Sequence, residues 1–209
     1  VSHILLILSS PRGAASYSTK VARALADKLA ADDPGSIITV RDLAREHLPH
    51  IGEDFATARH HGGTAESLTS AQKSALAISD ALIQELFAAD IVVIGSAMIN
   101  FSVASTLKTW IDYVARPGKT FRYTAAGPEG LVKGKKVYIC AARGGVYTEG
   151  PMQALNFQDP YLRSALGFIG MTDIETIAVE GVGSGPEVAE KSFQAALAKV
   201  QTTLHPKAA

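Results

Sequence analysis

Three stretches of this chain, His3 to Leu8, Ile91 to Ile94 and Val137 to Ala142, carry apolar side chains at consecutive rather than alternate positions. A strand with one wet face alternates polar and apolar residues, whereas a strand covered on both faces has no reason to. The runs therefore require a parallel sheet with helices packed on either side. Two weaker signals, Ser36 to Val40 and the β-branched stretch Asp173 to Val179, bring the expected strands to five.

Helical spacing fills the intervals: Ser18 to Ala31, Ser70 to Ala88, Ala104 to Ala115, Tyr161 to Gly170 and Pro186 to Leu204. In the first of these Val21, Ala22, Leu25 and Leu29 form one stripe, with Lys20, Arg23, Asp27 and Lys28 on the other face. Thr69 and Gln72 stand three apart, as a capping box needs. Alternating strand and helix over 209 residues predicts one α/β domain, residues 1–209: a doubly wound five-stranded parallel sheet of order 2-1-3-4-5 with helices on both faces. In that order the winding reverses between the first and third strands, and ligands bind there at the carboxyl ends. The flanking segments are Ser9 to Ser18, Ser96 to Ser105 and Ala141 to Gly150.

Each segment has its own chemistry. A serine- and glycine-rich turn between a strand and a helix presents backbone N–H groups to an anion, in the favourable field of the helix dipole. Ser10, Ser16 and Ser18 add hydroxyls, and Gly13, Ala14 and Ala15 allow close approach. The turn has neither the Walker lysine nor a G-x-G-x-x-G pattern, so a monophosphate fits better than a triphosphate or dinucleotide. The same serines would serve equally as ordinary helix caps. After the third strand, Met98 and Phe101 offer apolar surface and Asn100 both donates and accepts, a mixture suited to a planar heterocycle and also to plain core packing. After the fourth, Arg143-Gly144-Gly145 can turn successive N–H groups toward an electron-rich carbonyl, or simply make a tight turn.

Other features narrow the setting. Twenty basic residues balance twenty acidic ones, which leaves no field for gathering nucleic acid or an anionic membrane. The single cysteine, Cys140, falls inside a strand and is expected to be a small core hydrophobe, which fits a cytoplasmic protein. Ile4 to Leu8 is far shorter than the roughly 20 residues of a membrane span and lacks the flanks of a secretory signal. Two segments are expected as long loops: Glu46 to Thr69, with His47, His50, His60 and His61, and Pro117 to Lys135, with Phe121 and Tyr123. The histidines lack metal-ligand spacing and are expected at the surface, with no metal bound. Gly181 to Pro186 reads as a connector into the last helix.

Asn100-Phe101-Ser102, Leu107-Lys108, Trp110-Ile111-Asp112, Ala115-Arg116, Gly118 to Thr124, Gly127 to Leu131, Arg143-Gly144-Gly145, Leu166 to Gly170 and Glu180-Gly181 together resemble the FMN-dependent NADH-azoreductases. The resemblance spans nearly the whole chain, and its most specific part is Thr120 to Leu131. It implies a flavodoxin-like fold, a bound FMN, NADH or NADPH as donor, and a quinone or azo compound as acceptor in a ping-pong exchange. It further implies a homodimer with active sites at the subunit interface. By that resemblance Ser10, Ser16, Tyr17 and Ser18 hold the FMN phosphate, Met98, Ile99, Asn100 and Phe101 lie along the isoalloxazine, and Ala142, Arg143, Gly144 and Gly145 meet its pyrimidine edge. Tyr123 and Phe168 then stack substrate over the neighbouring subunit's flavin. Flavin N5 carries the chemistry and no side chain is a catalytic nucleophile. Solvent ranks ahead of Tyr147 or a loop histidine as proton donor, and Arg59 or His60 could edge the pocket. Ala97, Ile99, Ala104 and Tyr147 depart from the usual family pattern. The competing reading, a flavodoxin-like electron carrier, calls for an acidic docking face that this composition does not supply.

Overall fold

A computed structural model describes residues 1–60 and 67–205. Five strands, β1 (His3–Leu8), β2 (Ile37–Asp42), β3 (Ile91–Ala97), β6 (Lys136–Ala142) and β7 (Asp173–Val179), form one sheet in the order β2-β1-β3-β6-β7. All four pairings are parallel. This is the expected 2-1-3-4-5 order, with a separate two-stranded unit, β4 (Phe121–Thr124) and β5 (Gly127–Gly130), inserted before the fourth sheet strand.

The consecutive apolar residues sort into two cores by strand parity, since successive side chains leave opposite faces of a sheet. Leu5, Ile7, Val92, Ile94, Val137 and Ile139 face α3 (Ser70–Ala88), α4 (Ser105–Val114) and α5 (Gln158–Phe168) through Leu82, Trp110 and Leu162. Ile4, Leu6, Leu8, Val93, Tyr138 and Cys140 face α1 (Tyr17–Asp32) and α6 (Pro186–Thr202) through Leu25, Leu29 and Val200. Cys140 is fully buried and burial pushes its thiol pKa up, as a core role requires. Edge strand β2 exposes Ile37 and Val40, which explains its faint sequence signature.

The capping box is present: Thr69 Oγ1 accepts from Gln72 N–H (3.2 Å) and Gln72 Oε1 accepts from Thr69 N–H (3.0 Å). Helix α5 starts at Gln158 rather than Tyr161, with Pro160 in its first turn, where its missing N–H costs nothing.

Two expected loops are corrected. Within Glu46 to Thr69 the chain forms α2 (Glu53–Ala58), whose buried Phe55 packs on Tyr113 with ring centroids 4.7 Å apart; His61, Gly62 and Gly63 lie outside the described residues. Pro117 to Lys135 is largely the β4–β5 hairpin, with Arg122 Nε donating across it to Glu129 Oε2 (2.8 Å). The hairpin is fixed at its base. Buried Thr120 accepts from Arg116 N–H (3.0 Å) and donates to Val114 O (2.5 Å). Val132 N–H donates to Ile169 O (2.9 Å) just past α5. Gly130 meets that turn backbone to backbone: a Cβ there would lie 2.2 Å from Gly170 N.

Candidate functional site

The C-terminal ends of β1, β3 and β6 open into a cleft of ≈ 300 Å³ lined by Ser10, Pro11, Arg12, Ser16, Tyr17, Ala97, Met98, Ile99, Ala142, Arg143, Gly144, Val182 and Gly183. It spans the junction of β1 and β3, where the strand order reverses, and extends across the end of β6. Close packing brings the start of α1 to this point, because Gly95 lets the helix approach β3. A Cβ on Gly95 would lie 3.2 Å from both Ala22 Cβ and Ser18 O.

The serine at the start of α1 is not an ordinary side-chain cap. Ser16 is the N-cap residue of α1, yet its side chain makes no capping bond. Its Oγ instead lies 3.0 Å from Ser18 Oγ, and both residues are buried. Lys20 N–H is the first to reach back along the helix, to Ser16 O (3.0 Å). Among the described residues the N–H groups of Tyr17, Ser18 and Thr19 therefore have no backbone acceptor, which leaves a helix start with free donors for an anion. Ser9 has a different duty: its buried Oγ donates to Gly95 O (2.9 Å) and ties the turn to β3.

The segment after β3 is a tight turn. Ile99 and Ser102 exchange both backbone hydrogen bonds (2.9 and 3.0 Å), and between them Asn100 and Phe101 take φ of 45° and 71°. They are the only non-glycine residues with positive φ among the described residues, in the pattern of a type I′ turn. Met98 N–H donates to Ala142 O (2.8 Å), which locks this turn to the end of β6. Phe101 stands edge-on to Tyr147 with centroids 6.4 Å apart.

Beyond β6 the glycine pair is held by the segment Gly181 to Pro186, whose sequence has only the look of a connector. Gly181 N–H donates to Gly145 O (3.0 Å) and Gly183 N–H to Gly144 O (2.8 Å). Among the described residues the N–H groups of Gly144 and Gly145 have no backbone acceptor. Side chains would be crowded at Gly183 and Gly145: a Cβ on Gly183 would lie 3.2 Å from Gly144 O, and one on Gly145 would lie 3.3 Å from the Tyr147 ring.

Of the twelve residues expected to bind cofactor, eight line the cleft: Ser10, Ser16, Tyr17, Met98, Ile99, Ala142, Arg143 and Gly144. Ser18 is buried behind Ser16, and Asn100, Phe101 and Gly145 sit beside the rim. Pro11, Arg12 and Ala97 fall within the expected flanking segments Ser9 to Ser18 and Ser96 to Ser105 without having been singled out as cofactor contacts, and Val182 and Gly183 were missed. Arg12 is a cation within the phosphate-type turn, whereas Val182 and Gly183 reach the cleft only through the fold.

Tyr123 and Phe168 do not line the cleft of their own chain. They flank Phe121, with centroids 5.7 and 4.6 Å from its ring, and Tyr123 is 75% exposed. A second cleft of ≈ 390 Å³ lies across Pro11 and Ile99 and is lined by His47. Nδ1 of His50 is 3.3 Å from Thr109 Oγ1, and Arg59 Nε donates to His60 Nε2 (2.9 Å). Among the described residues no helix is long and apolar enough to cross a membrane.

These features fit a phosphorylated planar heterocycle. The α1 donors suit a phosphate, Met98 and Ile99 supply apolar contact, and the glycine amides suit a polar ring edge. Comparison with known proteins agrees. The chain matches the family described as flavodoxin-like fold over residues 2–204. It is 54% identical over 201 residues to FMN-dependent NADH:quinone oxidoreductase 1 of Rhizobium etli, covering 96% of this chain and 97% of that one. It is 48% identical over 205 residues to the FMN-dependent NADH:quinone oxidoreductase of Herminiimonas arsenicoxydans, covering 98% of each. Among solved structures, the azoreductase of Bacillus anthracis str. Sterne superposes with a TM-score of 0.88 at 34% identity, over 96% of this chain and 97% of that one.

Proposed function

The chain belongs to the flavodoxin-like fold family that includes the FMN-dependent NADH:quinone oxidoreductases, and on that premise we propose that it is an FMN-dependent NAD(P)H oxidoreductase reducing quinones and azo compounds. The observation that carries the proposal is the start of α1, where the cap serine leaves the first-turn amides free beside a cleft shared with the Gly144 turn. Bound there, FMN would supply two-electron redox chemistry between a nicotinamide donor and the quinone or azo acceptor, for which a ping-pong order is expected.

The protein's own contribution is binding and orientation. Ser10, Ser16, Tyr17 and Ser18, with the first-turn amides, hold the phosphate. Met98, Ile99, Asn100 and Phe101 bear on the isoalloxazine, and Ala142, Arg143, Gly144 and Gly145 meet its pyrimidine edge. No side chain acts as a nucleophile, and the proton needed by the acceptor comes from solvent. Tyr123 on the β4–β5 hairpin and Phe168 at the end of α5, both exposed and absent from the lining of their own cleft, support a homodimer in which each chain stacks substrate over the other's flavin. The working compartment is the cytoplasm.

The test is direct. Purified protein supplied with FMN should turn yellow and oxidise NADH or NADPH when a benzoquinone or an azo dye is present. Parallel double-reciprocal lines are expected when donor and acceptor are varied together. Failure to retain FMN would refute the cofactor assignment, and retention of FMN without nicotinamide oxidation would point to an electron carrier.

A further inference from the structure

Beneath the glycine turn lies a polar cluster that cofactor contact alone does not require. Arg143 is 2% exposed; its Nε donates to Gln158 Oε1 and its Nη1 to Glu180 Oε1, both at 2.9 Å. Fully buried Gln158 passes the network on, its Nε2 donating to Ser96 O and Ser96 Oγ at 3.0 Å each, at the end of β3. Glu180 also accepts from Tyr147 N–H (2.8 Å) and from the Thr148 hydroxyl. Its own N–H donates to Ser192 Oγ on α6 (2.9 Å). One carboxylate thus grips residues 143, 147 and 148, the two ends of the loop that contains Gly144 and Gly145.

We propose that Glu180 is the positioning residue of this loop: it keeps the Gly144 and Gly145 amides available to the pyrimidine edge of FMN and cancels the positive charge of Arg143 beneath them. The proposal rests on the FMN reading above. A buried guanidinium stripped of its partner is costly, so the pair is coupled to whatever charge enters the cleft. Burial pushes the Glu180 carboxyl up, but hydrogen bonds from Thr148, Arg143 and the Tyr147 N–H outweigh it and hold the group below its ordinary value.

Two variants separate geometry from charge. Glu180→Gln keeps the size and one acceptor oxygen but leaves Arg143 uncompensated. Reduced flavin bears the extra negative charge, so the potential of the bound FMN should move positive. Glu180→Ala removes the acceptor altogether and should weaken FMN binding by about tenfold or more. In the double variant Arg143→Gln, Glu180→Gln the potential should return toward the wild-type value, which isolates the electrostatic part. Acid provides a further readout. A lowered carboxyl pKa contributes stability that is full above the ordinary value of 4.5 and is lost as pH falls through the folded-state value, so the wild-type melting temperature should drop in an acid step that Glu180→Gln lacks.

The measurements are dye-referenced reduction of the FMN-loaded protein, FMN titration at neutral pH, and thermal melts from neutral pH to well below 4.5. A positive shift in Glu180→Gln, reversed in the double variant, supports the assignment. An unchanged potential in Glu180→Gln together with unchanged FMN affinity in Glu180→Ala overturns it. So does a fall in melting temperature with no movement of the potential. A wild-type chain that binds no FMN at all refutes the cofactor reading and removes this one with it, an outcome distinct from the other two.

Discussion

Gly130→Ala tests how firmly the hairpin is seated. The new methyl would start 2.2 Å from Gly170 N, 2.4 Å from Ile169 C and 2.5 Å from Gly170 Cα. Ordinary contact is about 3.5 Å, so the two backbones must part by roughly 1.3 Å. All three of these neighbours are main chain, which no rotamer change can move aside. Overpacking of this kind costs about 1–3 kcal/mol, and the backbone clash places it at about 3. For a chain of this length that is a fall of about 6–12 °C in melting temperature. Gly167→Ala is the control, since a Cβ there has no neighbour within 4 Å and the site is inside α5. It should be neutral or stabilise by up to about 1 kcal/mol. Thermal melts would be read beside FMN titration and acceptor kinetics. Gly130 does not line the cleft, so FMN affinity should hold while acceptor KM rises as Tyr123 shifts relative to Phe168. A Gly130→Ala protein that melts within about 1 °C of the control refutes the close approach of hairpin and helix turn.

Removing the hydroxyls in Ser16→Ala or Ser18→Ala should weaken FMN by about tenfold to a hundredfold, the range for hydrogen bonds to a charged group, and leave riboflavin binding unchanged. Equal loss of both ligands would move these serines away from the phosphate. Tyr123→Ala and Phe168→Ala should raise acceptor KM several-fold with little change in FMN affinity, and a matched loss of FMN would contradict the cross-subunit assignment. Cys140 is buried and its thiol pKa is raised, so a thiol reagent should label it only on unfolding; labelling of the native protein at the unfolded rate would contradict its place in the core.

The sheet was legible because burial on both faces leaves a mark in the sequence itself: Leu5 and Leu6 are both apolar because each belongs to a different core. The hairpin was not legible, because Gly127-Pro128-Glu129-Gly130 has the composition of a loop and becomes a strand only against Phe121 to Thr124. Helix α2 was hidden for a similar reason, its six residues being held by Phe55 against Tyr113 rather than by local preference. In the site, the residues directly after a strand could be read: Ser10 to Ser18, Met98 to Phe101, Ala142 to Gly145. Residues that arrive from elsewhere in the chain could not. Val182 and Gly183 join the cleft through bonds to Arg143 and Gly144, which no spacing in the sequence announces.

The turn at Asn100 and Phe101 sets two selections against each other. Left-handed backbone at a residue with a side chain costs about 1–2 kcal/mol, least for asparagine, and Asn-Gly is the pairing such a turn favours. A library at these two positions sorted for heat survival would therefore drift toward glycine at 101. If Phe101 bears on the flavin as proposed, the same library sorted for flavin retention and turnover keeps the aromatic ring and carries its cost, and the gap between the two winners measures the stability given up at that residue for the cofactor contact.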